Sequence, residues 1–406
     1  MRLRIKEICD YVSRGTTPDY VDEGANKVMN QATFSKGWLD ESNIRYTSKA
    51  NKEARIMKGD LLMASTGGGV LGKVFFFDDD DSFYADSHVT IMRNSKGANL
   101  MKYLYYYFYL RYDEINATMV KGSTNQTELQ RNYLLSYELD VPTLADQQRM
   151  VTYLDTKLSE IDHQVSLLTS KRDAYLRLKK SIINHAVTRG LDPNVKMKDS
   201  GIEWIGEVPE HWEVKRMKDI CALSPNIKSC SEYEYGSYLP MEGLRLDQIE
   251  TSDELVSTLQ GKYTPFEDND LLVAKVTPCF ENGNIAIAKG LTNGVGFGSS
   301  EIFVLRANKF NNIRFLFYMS LSSKFQDKAC ATMCGVGGLK RISPLFMKTY
   351  IMAIPHSTEQ NAIATYLDDK CAKIDTIVSN LDKQISRYGD LKRSLIDEVI
   401  TGKRAV

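Results

Sequence analysis

Two stretches of the chain place apolar side chains at alternating spacings of three and four. In the later stretch the stripe is Leu367, Cys371, Ile374, Val378, Leu381, Ile385 and Tyr388, extended by Leu391, Leu395 and Val399. In the earlier one it is Leu154, Leu158, Ile161, Val165, Leu168, Tyr175, Leu178 and Ile182, with one break at Arg172. This is the seam of a coiled coil. Neither stretch contains a proline. Each reads as a helix of about 42 residues, about 63 Å long. Ser357-x-x-Gln360, just after Pro355, predicts a capping box at the second start. In the first copy Leu144 occupies that place, so the start is less well marked.

The two stretches are copies of each other. Val141-Pro142-Thr143-Leu144-Ala145-Asp146-Gln147-Gln148 corresponds to Ile354-Pro355-His356-Ser357-Thr358-Glu359-Gln360-Asn361, at an offset of 355 − 142 = 213. The offset holds without a gap from 140 to 188, and 18 of those 49 positions are identical. Weaker matches precede each helix: 4–9 with 216–221, 59–62 with 269–272, 87–93 with 300–306, and 117–119 with 331–333. The order is globule, helix, globule, helix. Its predicted boundaries are 1–142, 143–189, a connector at 190–211, 212–355, and 356–406. To bury its seam the second helix must run back along the first. That predicts an antiparallel pair, an approximate two-fold axis, globules at opposite ends of a rod, and both termini near the first globule.

Each globule reads as mixed α/β. Val74-Phe75-Phe76-Phe77 and Val89-Thr90-Ile91-Met92 look like strands. The tyrosine-rich stretch 101–115 and the stretch 313–330 have helical length. The connector holds Gly190, Pro193, Gly201, Gly206 and Pro209, and Trp204 and Trp212 are expected to pin it to the second globule. Apolar residues make up 43% and charged residues 26%, which is globular rather than disordered. No apolar run is long enough to cross a membrane, and no signal core follows Arg2 and Arg4. Seven cysteines without a C-x-x-C pair suit free thiols in a reducing cytoplasm. The charge balance, 52 basic against 52 acidic, does not by itself suggest DNA. Any DNA contact must be local or share a positive field with partner subunits.

Candidate chemistry is sparse. Gly67-Gly68-Gly69-Val70-Leu71-Gly72 satisfies G-x-G-x-x-G, but the strand-like Lys73 to Phe77 follows it where a helix is required, so a glycine hairpin is expected. The second half loses the pattern. Asp78 to Asp81 read as a solvated turn rather than a metal site. There is no phosphate-binding G-x-x-x-x-G-K-[ST] loop and no Asn/Asp-Pro-Pro-Tyr/Phe sequence of an amino-methylating DNA methyltransferase. The five histidines show no metal-ligand spacing, and Cys330 and Cys334 have no third ligand near them in sequence. No metal or cofactor is expected in this chain. Basic residues on the helices (Lys171, Arg172, Arg177, Lys179, Lys180, Arg189, then Arg387, Lys392, Arg393, Lys403 and Arg404) fit either a solvated face or a partner or phosphate contact at the basic ends.

These residues resemble one known family. Gly190-Leu191-Asp192-Pro193-Asn194-Val195, with Lys198-Asp199-Ser200-Gly201-Ile202-Glu203-Trp204-Ile205-Gly206-Glu207-Val208-Pro209-Glu210-His211-Trp212, looks like the connector into a target-recognition domain of type I restriction-modification specificity subunits. Pro355 to Gln360 opening a long helix, with Leu395-Ile396 and Thr401-Gly402 near its end, looks like their spacer. The resemblance covers essentially the whole chain. It departs in small ways: Asp146-Gln147 stands for the usual Glu-Gln, one proline precedes each helix, and no long connector precedes the first globule. It implies two pseudo-two-fold-related mixed α/β target-recognition domains separated by an antiparallel coiled coil. Each domain would read half of a split DNA target, and the helices would set the gap. The helices would also dock two modification subunits, which bring S-adenosylmethionine and methylate adenine; restriction subunits add translocation and cleavage. The chain itself would be non-catalytic and cytoplasmic. A stand-alone methyltransferase or nuclease is disfavoured by the missing motifs, and a pure scaffold by the two related globules with unlike loops.

The expected DNA contacts are polar loops. In the first half they are Arg14, Thr16 and Thr17; Ser65, Thr66, Gly67, Gly68 and Lys73; and Lys121, Ser123, Asn125 and Gln126. In the second they are Lys228, Lys275, Thr277, Lys340 and Arg341. Arg and Lys suit guanine edges or phosphate, and Asn and Gln suit adenine.

Overall fold

The computed structural model describes residues 1–49, 51–95, 97–121, 127–225, 227, 232–336 and 339–406. They divide into two compact units. Unit 1 comprises Met1–Leu168 with Lys383–Val406, and unit 2 comprises Thr169–Asp382. The first and last residues therefore belong to the same unit.

Unit 1 is built on a four-stranded antiparallel sheet in the order Tyr11–Arg14, Val89–Arg93, Leu61–Ala64, Val74–Phe76. Its central strand Leu61-Leu62-Met63-Ala64 is apolar throughout because both faces are covered. Leu61 and Met63 point into one core with the helix Ala98–Tyr109 and the long helices, while Leu62 and Ala64 point into another with Phe34, Phe77 and Phe83. A five-stranded sheet includes the parallel pair Asn26–Met29 and Phe83–Ala85.

Unit 2 repeats this plan. Its sheet runs Cys221–Leu223, Ile302–Ala307, Leu271–Ala274, Ile285–Ile287, and a second sheet holds the parallel pair Tyr235–Leu239 and Val295–Gly298. The buried polar framework is repeated too. In unit 1 Arg93 donates twice to Asp60, at 2.7 Å each, and Asp60 also accepts from the Met57 N–H. In unit 2 Arg306 donates twice to Asp270, again at 2.7 Å, and Asp270 accepts from the Glu267 N–H. Tyr106 donates to Asp155 as Tyr318 does to Asp368. Gln147 donates to the Pro142 carbonyl as Gln360 does to that of Pro355.

The expected helices at 101–115 and 313–330 are each broken in two. Ala98–Tyr109 is followed by Tyr112–Thr118, and Ile313–Ser320 by Ser323–Ala331. In the second case the Ser322 hydroxyl caps the new helix by accepting from the Phe325 N–H. The connector packs as expected. Trp212 is fully buried in the unit 2 core, and Trp204 lies against Tyr350 with ring centroids 5.2 Å apart.

The long helices are continuous, Leu144–Arg189 with 46 residues and Ser357–Ile400 with 44. At about 1.5 Å per residue they are about 69 and 66 Å long. Their starts differ from expectation. The first is capped by Thr143, whose hydroxyl accepts from the Asp146 N–H and donates to its carboxylate. The second begins at Ser357, so His356 is the capping residue and Gln360 turns back to Pro355 instead of closing a box with Ser357.

The helices pair antiparallel within each unit. In unit 2, moving from Arg172 to Lys179 moves the ion-pair partner from Asp382 back to Asp375. In unit 1, moving from Asp162 back to Tyr153 moves the partner from Lys392 on to Arg404. Lys179–Asp375 and Lys392–Asp162 are the same contact in the two copies, since 179 + 213 = 392 and 162 + 213 = 375.

These pairs also correct the seam. Leu154, Leu158, Ile161, Leu367, Cys371, Ile374, Leu381 and Leu395 are buried, and Val165, Leu168, Tyr175, Ile182, Val378, Ile385 and Tyr388 are half-buried. Leu178 and Leu391, however, are 46% and 49% exposed. Strict alternation of four and three carries the seam through Arg172 to Tyr175 and then to Lys179, and in the second copy to Lys392. The long alkyl stems of these residues cover apolar surface while their charged ends reach aspartates. Leu178→Ala is therefore expected to leave stability within about 0.5 kcal/mol of the unchanged protein in denaturant unfolding. A seam leucine would lose several times that.

Candidate nucleic-acid interface

In unit 1 the strand Leu61–Ala64 leads into a tight turn. Gly67, Gly69 and Gly72 take φ of 89°, 81° and 85° there, and the chain returns as Val74–Phe76. The glycine run is thus a hairpin with no helix after it. A second hairpin, Val120–Lys121 with Glu128–Leu129, docks on this turn. The Leu129 N–H donates to the Ser65 carbonyl at 2.8 Å, and Thr66 forms a bridge with Glu128.

Unit 2 builds the same junction. The hairpin Cys334–Val336 with Leu339–Arg341 docks on residues 275–277. The Ile342 N–H donates to the Lys275 carbonyl at 3.0 Å, the Thr277 N–H donates to that of Lys340, and Val276 bridges Arg341. Segments far apart in sequence are thereby brought together twice, at equivalent places.

The side chains divide into framework and surface. Ser65, expected among the DNA contacts, is fully buried, its hydroxyl sharing a hydrogen bond with Thr90 at 2.5 Å, so its side chain belongs to the framework of the junction rather than to its surface. Thr277 is likewise buried, with its hydroxyl accepting from the Lys340 N–H at 3.0 Å. Lys73 is half-buried and donates to the Ser35 carbonyl. Lys275 donates to the Ser300 carbonyl at 2.6 Å over the Phe303 ring, and burial pulls its pKa below the usual lysine value. Thr66 is half-buried and hydrogen-bonds His88 at 2.7 Å.

Other candidates stay near solvent. Thr17, Gly68, Lys121, Lys340 and Arg341 are exposed, while Arg14, Thr16 and Gly67 are half-buried. Arg14 forms an ion pair with Glu128, tying the edge strand to the hairpin. Thr16 follows Gly15, where a Cβ would fall 2.2 Å from the Ala85 carbonyl oxygen, so only glycine lets the loop approach that closely. Arg341 donates to both carboxylate oxygens of Glu301, which hold the acid below its usual pKa. Ser123, Asn125, Gln126 and Lys228 lie outside the described residues.

Sequence reasoning missed His88, Glu128 and Glu301. A signal for two of them was present: His88 and Glu301 occupy the same place in the matched segments 87–93 and 300–306. Among the described residues no group of three or more His, Cys, Asp or Glu could hold a metal ion. The exposed Asp78 and Asp80 lie near Lys58, and the exposed Asp81 near the half-buried Lys27. Among the described residues no helix is long and apolar enough to cross a membrane.

The architecture is that of an internally duplicated α/β protein whose single scaffold carries two different polar faces, each unit sharing in two long antiparallel-paired helices. The chain belongs to the type I restriction modification DNA specificity domain family, which matches it over residues 1–167 and 209–387. It is 28% identical over 198 residues to the type I restriction enzyme EcoEI specificity subunit of Escherichia coli; the match covers 48% of this chain and a third of that subunit (33%). It is 21% identical over 372 residues to the MjaVIII specificity subunit of Methanocaldococcus jannaschii, covering 88% and 82% of the two chains. A chain from a structural study of complex assembly and conformational transition of the type I R-M system shares the fold, with a TM-score of 0.70 at 13% identity over 98% of this chain and 97% of that one.

Proposed function

We propose that this chain is the DNA-sequence-reading subunit of a type I restriction-modification enzyme. Each unit reads one half of an asymmetric two-part target, and the long helices set the spacing between the halves and dock the modification subunits. Those subunits hold S-adenosylmethionine and methylate adenine, and restriction subunits join the assembly. This chain contributes no catalytic centre.

One observation carries the reading. The same backbone junction is built twice, and the side chains it presents differ: Thr66, His88 and Glu128 in unit 1 stand where Val276, Glu301 and Arg341 stand in unit 2. A shared scaffold with unlike polar faces suits two readers of unlike sequences. The even charge balance agrees with a subunit that borrows positive field from partners.

The test is methyl transfer. Purified chain with labelled S-adenosylmethionine and DNA should incorporate no label, and adding the modification subunits should start incorporation. Label transferred by the chain alone would make it an enzyme and contradict the reading.

A further inference from the structure

Arg341 stands on an exposed hairpin strand, Leu339–Arg341, and its side chain is 53% accessible. Its Nε and Nη2 donate to the two oxygens of Glu301 at 2.9 and 3.0 Å. Two parallel bonds along one edge fix the plane of the guanidinium. Nη1 has no partner among the described residues, so Nη1 and the second hydrogen of Nη2 form a free donor edge. Glu301 is itself held in place: its carbonyl accepts from the Lys275 N–H at 2.8 Å, and its own N–H donates to the Ser299 hydroxyl.

A planar edge with two donors matches the O6 and N7 acceptors of guanine in the major groove. Adenine offers an amino donor in place of O6 and accepts only one of the two bonds. A flexible cation would neutralise phosphate as well without such a clamp. The carboxylate clamp therefore speaks for a base edge.

Unit 1 sharpens the contrast. Leu129 and Ile342 donate to equivalent carbonyls, of Ser65 and Lys275, so Glu128 is the counterpart of Arg341. The charge at this place is reversed between the units, and Glu128 is engaged by Arg14.

We propose that Arg341 reads one guanine in the half-site recognised by unit 2, and that Glu301 is its positioning residue. This rests on the DNA-reading function proposed above and names the residue and base on which half of it turns.

The test selects duplexes from a random-sequence library with the complex of this chain and its modification subunits, then sequences the bound DNA. The unchanged complex should select a guanine at one fixed position of one half-site. Arg341→Lys keeps the charge and loses the fork. It should lower the preference for that guanine about ten- to hundredfold and leave the other half-site intact, which also shows that the variant folds. Glu301→Gln should weaken the preference at that position alone, by a smaller factor. If Arg341→Lys weakens binding uniformly and keeps every base preference, Arg341 is a phosphate contact and the proposal is overturned while the DNA-reading function stands. If the unchanged complex selects no sequence, the DNA-reading function itself fails.

Discussion

Arg93→Ala should lower the stability of unit 1 by about 3–5 kcal/mol, because it leaves the Asp60 carboxylate buried without its partner. The Asp60 side chain is 1% accessible and takes both Arg93 bonds at 2.7 Å. Even with that partner, burial keeps the Asp60 pKa above the usual aspartate value. The pH dependence follows from the sign of this shift. The folded form binds the Asp60 proton more tightly than the unfolded form does. Stability contributed by the protonated carboxyl is therefore present at low pH and is lost as pH rises from the ordinary carboxylate range through the raised folded value. Without Arg93 the folded value climbs further. The deficit against the unchanged protein should be largest at about pH 7.5 and should shrink towards about pH 5. Denaturant unfolding at both pH values measures it. A loss below about 1 kcal/mol at the higher pH, or a deficit that grows on acidification, would contradict the assignment.

Leu154→Ala and Leu367→Ala should each cost about 2–5 kcal/mol. These leucines are the same position in the two copies and are both fully buried, one in each unit. Each sits in a core that joins long-helix residues to globule residues: Leu154 with Leu104 and Val399, Leu367 with Trp212 and Phe315. The two losses should be additive to within about 0.5 kcal/mol, since the two side chains share no core. Leu178→Ala is the internal control, because the same substitution on the same helix removes little buried surface. Equal costs at Leu154 and Leu178 would mean that the seam runs as the leucine pattern suggests rather than through Lys179.

The repeat made most of the fold legible. The offset of 213 predicted that whatever Asp162 and Lys179 do, Asp375 and Lys392 do as well, and those four side chains form the same ion pair twice. Apart from Arg172, the seam was legible as far as Tyr175 in the first copy and Tyr388 in the second. Beyond them, hydropathy follows leucine to 178 and 391, whereas the helix geometry follows the lysines, because an apolar scale cannot register a stem that packs while its ammonium reaches a carboxylate. Helix starts were misplaced for a related reason: Thr143 and His356 cap through short local hydrogen bonds that no periodicity records.

The candidate site was legible only as a set of loops. Arg14, Thr66, Lys340 and Arg341 could be named for being polar between strands. Ser65 and Thr277 look identical to them in sequence but turn inward, because a hairpin from more than 60 residues away docks on their backbone. Glu128 becomes visible only when that docking sets it beside Arg14, whereas the repeat already aligned His88 with Glu301.

In the proposed function one polypeptide presents two unlike readers to one DNA duplex. Mapping methylated adenines across a host genome, in cells carrying this chain with its modification subunits, tests that directly. The expected result is a single motif of two short, unlike blocks separated by a gap of fixed length and no sequence preference. One contiguous block, or two identical blocks in palindromic arrangement, would contradict it.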